Sequence, residues 1–222
     1  MTSQTKKYEF TGETIDRYGF TLRRIRALVA ITSIGVAVGD LGGWIEDERN
    51  LDHKGSAWVY GNAEVYGSAW VSGDARVYGS AWVSGDARVY GNAEVSGDAR
   101  VYGNARVYGS AWVSGNAEVS GDARVYGNAR VYGSAWVSGD AEVSGDAEVS
   151  PVILTGFPHT VTITDRQIRV GCWFGTLDEW REKGPVTIRE NGFTQSETST
   201  WYEIICKVAE AHFEQVKKAL NS

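Results

Sequence analysis

Gly91–Ser114 reads GNAEVSGDARVYGNARVYGSAWVS, and the same twenty-four residues follow at once as Gly115–Ser138. A close-packed globular core has no room for a copy of part of itself, whereas a structure made of stacked equivalent units simply lengthens. The copy belongs to a longer pattern. From Gly55 to Ser150 the chain spells G-[S/N/D]-A-x-V-[Y/S] sixteen times, with valine at every sixth position from Val59 to Val149. Residues two apart in an extended chain share a side, so Ala and Val line an interior while x and the residue after Val face outward. Glycine followed by Asn, Asp or Ser supplies the backbone freedom and local hydrogen bonding of a corner. Each hexad is therefore a short strand plus a corner. A strand that short buries nothing alone, and coil must stack upon coil to join the Ala/Val rows into one narrow core.

The run GDARVYGNARVYGSAWVSG, Gly97–Gly115, resembles the hexapeptide repeat of left-handed parallel β-helices, with an aliphatic residue at i and a small one at i+4. That resemblance implies left-handed triangular coils of three hexads, so the sixteen hexads make about five coils, a rod roughly 25 Å long at the usual strand spacing. The expected fold is mainly β: a single-stranded parallel β-helix over 55–150, an N-terminal β cap with a first irregular coil over 1–54, and a C-terminal α+β cap over 151–222. Twenty-four residues are not a whole number of such coils, so the second copy is turned by one face relative to the first. Outward chemistry must then be roughly interchangeable among faces.

Taking every eighteenth outward residue gives three columns. One reads Trp58, Arg76, Glu94, Trp112, Arg130, Glu148, and a second reads Glu64, Trp82, Arg100, Glu118, Trp136. Both set a guanidinium between an indole and a carboxylate, contacts worth about 0.5–1 kcal/mol each at a surface. The third column is Trp70, Arg88, Arg106, Arg124, Glu142, with Tyr90, Tyr108 and Tyr126 stacking beside it. Like charges directly opposite across strands repel. Either Asp86 and Asp122 at the neighbouring corners compensate the row, or an external anion does. Guanidinium groups beside aromatic rings suit a nucleotide or similar anionic small molecule, and equally the acidic rim of a protein partner. Trp58, Trp82, Trp112 and Trp136 form the candidate oligomer face, because Trp is enriched where proteins meet. Hexapeptide β-helix proteins are commonly trimers, so a homotrimer is the implied assembly.

The flanks carry their own signals. YEF and FTLRRIRALVAI read as strands of a cap over the open rod end. VTITDRQIRVGCW reads as a hairpin about Asp165-Arg166-Gln167, and TLDEWREKG as a helix opened by a Thr176/Glu179 capping box and stopped at Gly184-Pro185. A second box, Thr200/Glu203, opens an amphipathic helix with Trp201, Ile204, Ile205, Val208, Ala211, His212, Val216 and Ala219 on its apolar stripe. GDLGGWIEDERNL before the repeat and TITDRQIRVGCW...TLDEW after it resemble segments of hexapeptide-repeat proteins frequent in phage and prophage genomes. That resemblance implies no common activity, but it admits an anti-defence role in which a nucleotide immune signal is sequestered in the host cytoplasm.

Composition narrows the classes. Twenty-two basic and twenty-eight acidic residues leave a net charge of −6, which disfavours duplex DNA and anionic membranes. The N-terminal stretch lacks the apolar core of a secretory signal, no run approaches the length of a membrane span, and the two cysteines, Cys172 and Cys206, have no CxxC spacing. A cytoplasmic protein with buried thiols is expected. Acyltransferases on this fold need a histidine on a coil and zinc carbonic anhydrases need three, yet no histidine lies between Gly55 and Ser150. His53, His159 and His212 read as packed or surface residues. The expectation is a protein without enzymatic activity, cofactor or metal, with a hexapeptide acyltransferase the nearest enzyme class.

Overall fold

The computed structural model describes residues 6–148, 151–154, 159–190 and 194–220. Val149 and Ser150, which end the sixteenth hexad, lie outside the described residues. The chain is a parallel β-solenoid of about six turns, flanked by an antiparallel β cap at one end and a small antiparallel sheet with two helices at the other.

Strands β1 (Tyr8–Arg17), β2 (Phe20–Ala27) and β3 (Leu41–Ile45) form an antiparallel meander. They are followed by fifteen two-residue strands, β4 to β18, one in every hexad from Trp58–Val59 to Glu142–Val143. Each of β4 to β15 pairs in parallel with the strand eighteen residues on, as in Arg88↔Arg106 and Val89↔Val107. The backbone N–H of each strand donates to a carbonyl of the following coil, Arg88 N to Ala105 O at 2.9 Å and Arg106 N to Ala123 O at 2.9 Å. Every Ala and Val of the repeat between Ala57 and Ala147 is buried, and each valine withdrawn from water stabilises the stack by about 1.5 kcal/mol or more.

A further coil precedes the first hexad. Ile45 pairs with Val65 and Leu51 bridges Val71, each spanning twenty residues where later coils take eighteen. The exposed carbonyls of this end are capped by side chains. Lys7 Nζ donates to Ala57 O at 2.7 Å, Asn50 Nδ2 to Ala69 O at 2.8 Å and Gly67 O at 3.0 Å, and the Tyr8 hydroxyl to Leu51 O at 2.9 Å. Burial pushes the Lys7 ammonium pKa down to about 8, with Asp52 and Asp74 acting against that shift.

At the other end β19 (Val152–Leu154), β20 (Val161–Ile163), β21 (Ile168–Val170) and β22 (Trp173–Gly175) make one antiparallel sheet, with the expected turn at Asp165–Gln167 between β20 and β21. Helices α1 (Leu177–Glu190) and α2 (Gln195–Leu220) close a second core on it around Trp180, Ile163, Ile205 and Ala209.

Three local expectations are corrected here. Helix α1 runs through Gly184 and Pro185 instead of stopping there. Pro185 removes the N–H that would reach Arg181 O, and the Tyr202 hydroxyl of α2 donates to that carbonyl instead, at 3.3 Å. Thr200 and Glu203 lie inside α2, whose box is Thr194/Glu197: Thr194 N donates to Glu197 Oε2 at 2.9 Å, and Glu197 N to Thr194 Oγ1 at 3.4 Å. The Thr176/Glu179 box forms as expected, its backbone donation holding the Glu179 carboxyl below the usual carboxylate range. The buried stripe of α2 holds Ile205, Cys206, Ala209, His212 and Val216, while Ile204 and Ala211 face solvent and the side chain of Ala219 lies outside the described set.

Candidate binding faces

The coil period determines what meets on each outer face. Trp70, Arg88, Arg106, Arg124 and Glu142 stand in register on one sheet, as the spacing requires. Beside them the rings of Tyr90, Tyr108 and Tyr126 stack at centroid distances of 5.0 Å, with interplanar angles of 1° and 5°. Burial raises the Tyr108 hydroxyl above its usual range, with Tyr126 and Tyr90 adding to the effect.

The three arginines are not equivalent. Arg124 Nη1 lies 3.2 Å from Glu142 Oε1, and Arg169 of β21 reaches the other oxygen at 3.0 Å. The Tyr126 hydroxyl donates to Glu142 Oε2 at 3.2 Å and accepts from Arg169 Nη2 at 3.3 Å. One carboxylate thus ends the row. Among the described residues no carboxylate lies within 4 Å of Arg88 or Arg106. Asp86 and Asp122 do not pair with the row, and Asp122 accepts from Asn104 Nδ2 at 2.9 Å. Two guanidinium groups without a carboxylate partner among the described residues therefore run beside a stack of parallel phenols, and Trp70, 39% exposed, heads the arginine column.

The other two faces carry the Trp-Arg-Glu ladders. The Arg100 guanidinium sits 5.5 Å from the Trp82 ring centroid and 3.1 Å from Glu118, and Arg130 sits 5.8 Å from Trp112 and 3.8 Å from Glu148. Their charges are satisfied within the rod. The expected oligomer face is smaller than its four tryptophans suggest. Trp58 is only 1% exposed and packs edge-on against Tyr8 of the N-terminal cap, so it presents nothing to a partner. Trp82 is half-buried between Tyr66 and Tyr102 and partly covered by Tyr18. Trp112 and Trp136 remain open, 38% and 62% exposed.

Covering of Trp82 by the β1–β2 hairpin was not visible in the repeat pattern. The hairpin tip, Tyr18-Gly19, folds over this face, and Arg17 Nε pairs with Glu64 at 3.0 Å. A concavity of about 710 Å³ opens between arm and coils. A φ of +50° at Tyr18 identifies the turn, but an aromatic residue there gives no sequence signal for it.

His53 stacks on Tyr8 at 4.4 Å and its Nδ1 accepts from Lys7 N at 3.1 Å, and burial lowers its pKa as it does that of His212. His159 borders a small recess with Arg169 and Glu142. Cys206 is buried, which pushes its thiol up, but Cys172 is exposed on the β21–β22 turn, contrary to the expectation of two buried thiols. Among the described residues no cluster of three or more His, Cys, Asp or Glu is placed to hold a metal, and no helix is long and apolar enough to cross a membrane.

The family model described as YdcK beta solenoid repeat matches residues 57–73, 71–85, 99–115 and 123–139, all within the hexad region. The chain is a repeat β-solenoid protein on both counts, sequence match and coil geometry. A search of the curated proteins finds no match.

Proposed function

We propose that the chain is a non-catalytic binding protein that acts as a homo-oligomer through its outer faces, with the Arg88/Arg106 row as its anion-contacting surface. The carrying observation is that, among the described residues, Arg88 and Arg106 stand in register without a carboxylate within 4 Å, while Arg76, Arg100, Arg124 and Arg130 all have one. Repulsion between stacked guanidinium groups is relieved by an anion, and charge-assisted hydrogen bonds would hold it. Trp112 and Trp136 are the residues this reading gives to subunit contact, in a trimer of the kind common among hexapeptide β-helix proteins. A monomeric mass in light scattering would remove that part of it.

The parallel stack of Tyr90, Tyr108 and Tyr126 rings favours a planar anion over a simple one, since a base can extend such a stack at its end. This supports sequestration of a nucleotide signal as the second reading, in keeping with the resemblance of the flanking segments to phage proteins and with a cytoplasmic setting. Mass spectrometry of small molecules released from protein purified out of its host separates the readings. A released nucleotide supports sequestration, whereas a blank together with an acidic protein recovered on the rod supports a protein partner. Replacing Arg88, Arg106 and Arg124 by Gln should abolish either interaction and shift stability by less than about 1 kcal/mol, because exposed arginines contribute little to folding. Retention of ligand by that variant would assign binding elsewhere. Acetyl transfer or carbon dioxide hydration by the purified protein would overturn the non-catalytic reading.

A further inference from the structure

The concavity under the hairpin arm has a different chemistry from the arginine row and lies on another face. Its floor is the column Trp44, Glu64, Trp82, Arg100, in register on successive coils. Two indoles therefore stand two coils apart, roughly 10 Å, along the rod axis. The wall along the adjacent corner is Asn62, Ser80, Asp98 and Asn116. Some corner polar groups elsewhere are paired: Asn104 donates to Asp122 and Asn128 to Asp146, and Asp74 accepts from Ser56 N. None of the four wall side chains has a hydrogen-bond partner among the described residues, although all four face the same hollow.

Charge decides what fits. Arg17 is paired with Glu64 and Arg100 with Glu118, so among the described residues no cation in the hollow is free, and Asp98 has no cation within 4 Å. An anion finds no counter-charge here. The partly exposed indoles of Trp44 and Trp82, over which Arg24 and Arg100 lie, and the Tyr18 ring, beside a wall of free amide, hydroxyl and carboxylate groups, match a neutral ligand that presents C–H faces and hydroxyl edges, that is, a chain of pyranose sugars.

The arm adds an independent sign. Tyr18 takes φ +50° in a two-residue turn whose first position ordinarily selects Asn, Asp or Gly. It is 77% exposed at the edge of the hollow, its ring 6.1 Å from Trp82 and 6.3 Å from Tyr66. A bulky aromatic held in left-handed backbone costs folding energy, and such outliers concentrate at ligand clamps.

We infer that the groove between the β1–β2 arm and the Trp44–Trp82 column binds a neutral oligosaccharide, with Tyr18 as its clamp. The inference does not depend on the arginine row. Tryptophan fluorescence and saturation-transfer NMR would be recorded on the full chain with hexasaccharides of β-1,4-glucose, α-1,4-glucose and β-1,4-N-acetylglucosamine, and with adenosine monophosphate. At least one hexasaccharide should saturate, and the nucleotide should not displace it. Tyr18→Asn, which places a favoured residue in the turn, should keep or raise Tm yet weaken the sugar by about ten-fold or more. The Asn62→Ala/Asn116→Ala pair should weaken it as well, and Arg88→Gln/Arg106→Gln should leave it unchanged. Failure of every hexasaccharide to bind, equal binding by Tyr18→Asn and the Asn pair, or displacement by the nucleotide would each overturn the inference.

Discussion

Gly97 and Gly61 occupy equivalent corners, both with positive φ, +66° and +56°, yet they differ in what surrounds them. A Cβ on Gly97 would lie 2.9 Å from Gly115 N and 3.0 Å from its carbonyl oxygen, whereas one on Gly61 meets nothing within 4 Å. Left-handed backbone costs an alanine about 1–2 kcal/mol, which should be the whole loss in Gly61→Ala. Gly97→Ala must also push two coils apart, so a loss of about 3 kcal/mol is expected, read from urea midpoints. Equal losses would show that coil spacing is softer than the contacts imply. The repeat made such corners legible one by one, because each hexad states its own turn and its own Ala/Val interior. It could not announce the burial of Trp58, which shares its outward position with Trp112, because Tyr8 arrives from about fifty residues upstream. Nor could it show that Glu142 compensates Arg124 with help from Arg169, a residue of the C-terminal cap. Period-six spacing determines which side chains share a column; contacts from outside the repeat decide which of them stay open.

Among the elements, α1 shows how tertiary contact overrides a strong local signal. Gly184-Pro185 reads as a helix stop, and the structure uses both residues otherwise. Gly184 sits where a Cβ would come within 2.8 Å of the Trp180 ring, and the carbonyl orphaned by Pro185 is served by Tyr202. Pro185→Ala should restore the backbone hydrogen bond and raise stability by about 1–2 kcal/mol, part of the usual cost of proline inside a helix. Tyr202→Phe should lose about 1 kcal/mol in the native background and markedly less beside Pro185→Ala, where Arg181 O has its N–H again. A double-mutant cycle by thermal unfolding measures that difference, and strict additivity would remove the proposed substitution of one donor for the other. The start of α2 is ambiguous in the sequence. Thr194/Glu197 and Thr200/Glu203 both fit the capping pattern six residues apart, and the pattern alone does not choose between them; the helix starts at the first.

For the whole molecule, the tandem copy has a consequence for the candidate anion row. Removing Gly91–Ser114 would bring Arg130 beneath Arg88, with Glu148 beneath Arg130, its existing partner at 3.8 Å. The row would then hold one uncompensated arginine, where the present chain holds two. Removing 91–108 would set Arg124 and Glu142 beneath Arg88 with the same result, but would take out a whole coil. Both variants should fold, since coil stability is nearly a sum of neighbour terms and each cap keeps its own contacts. They should differ in geometry. The 24-residue deletion turns the C-terminal cap by one face relative to the β1–β2 arm, and the 18-residue deletion leaves the two aligned. Fluorescence energy transfer between a label on the arm and one on α2 would distinguish them, and both should bind an anionic ligand more weakly than the full chain. Collapse of either variant would contradict independent coils, and undiminished anion binding by both would mean that the second free guanidinium is not what holds the ligand.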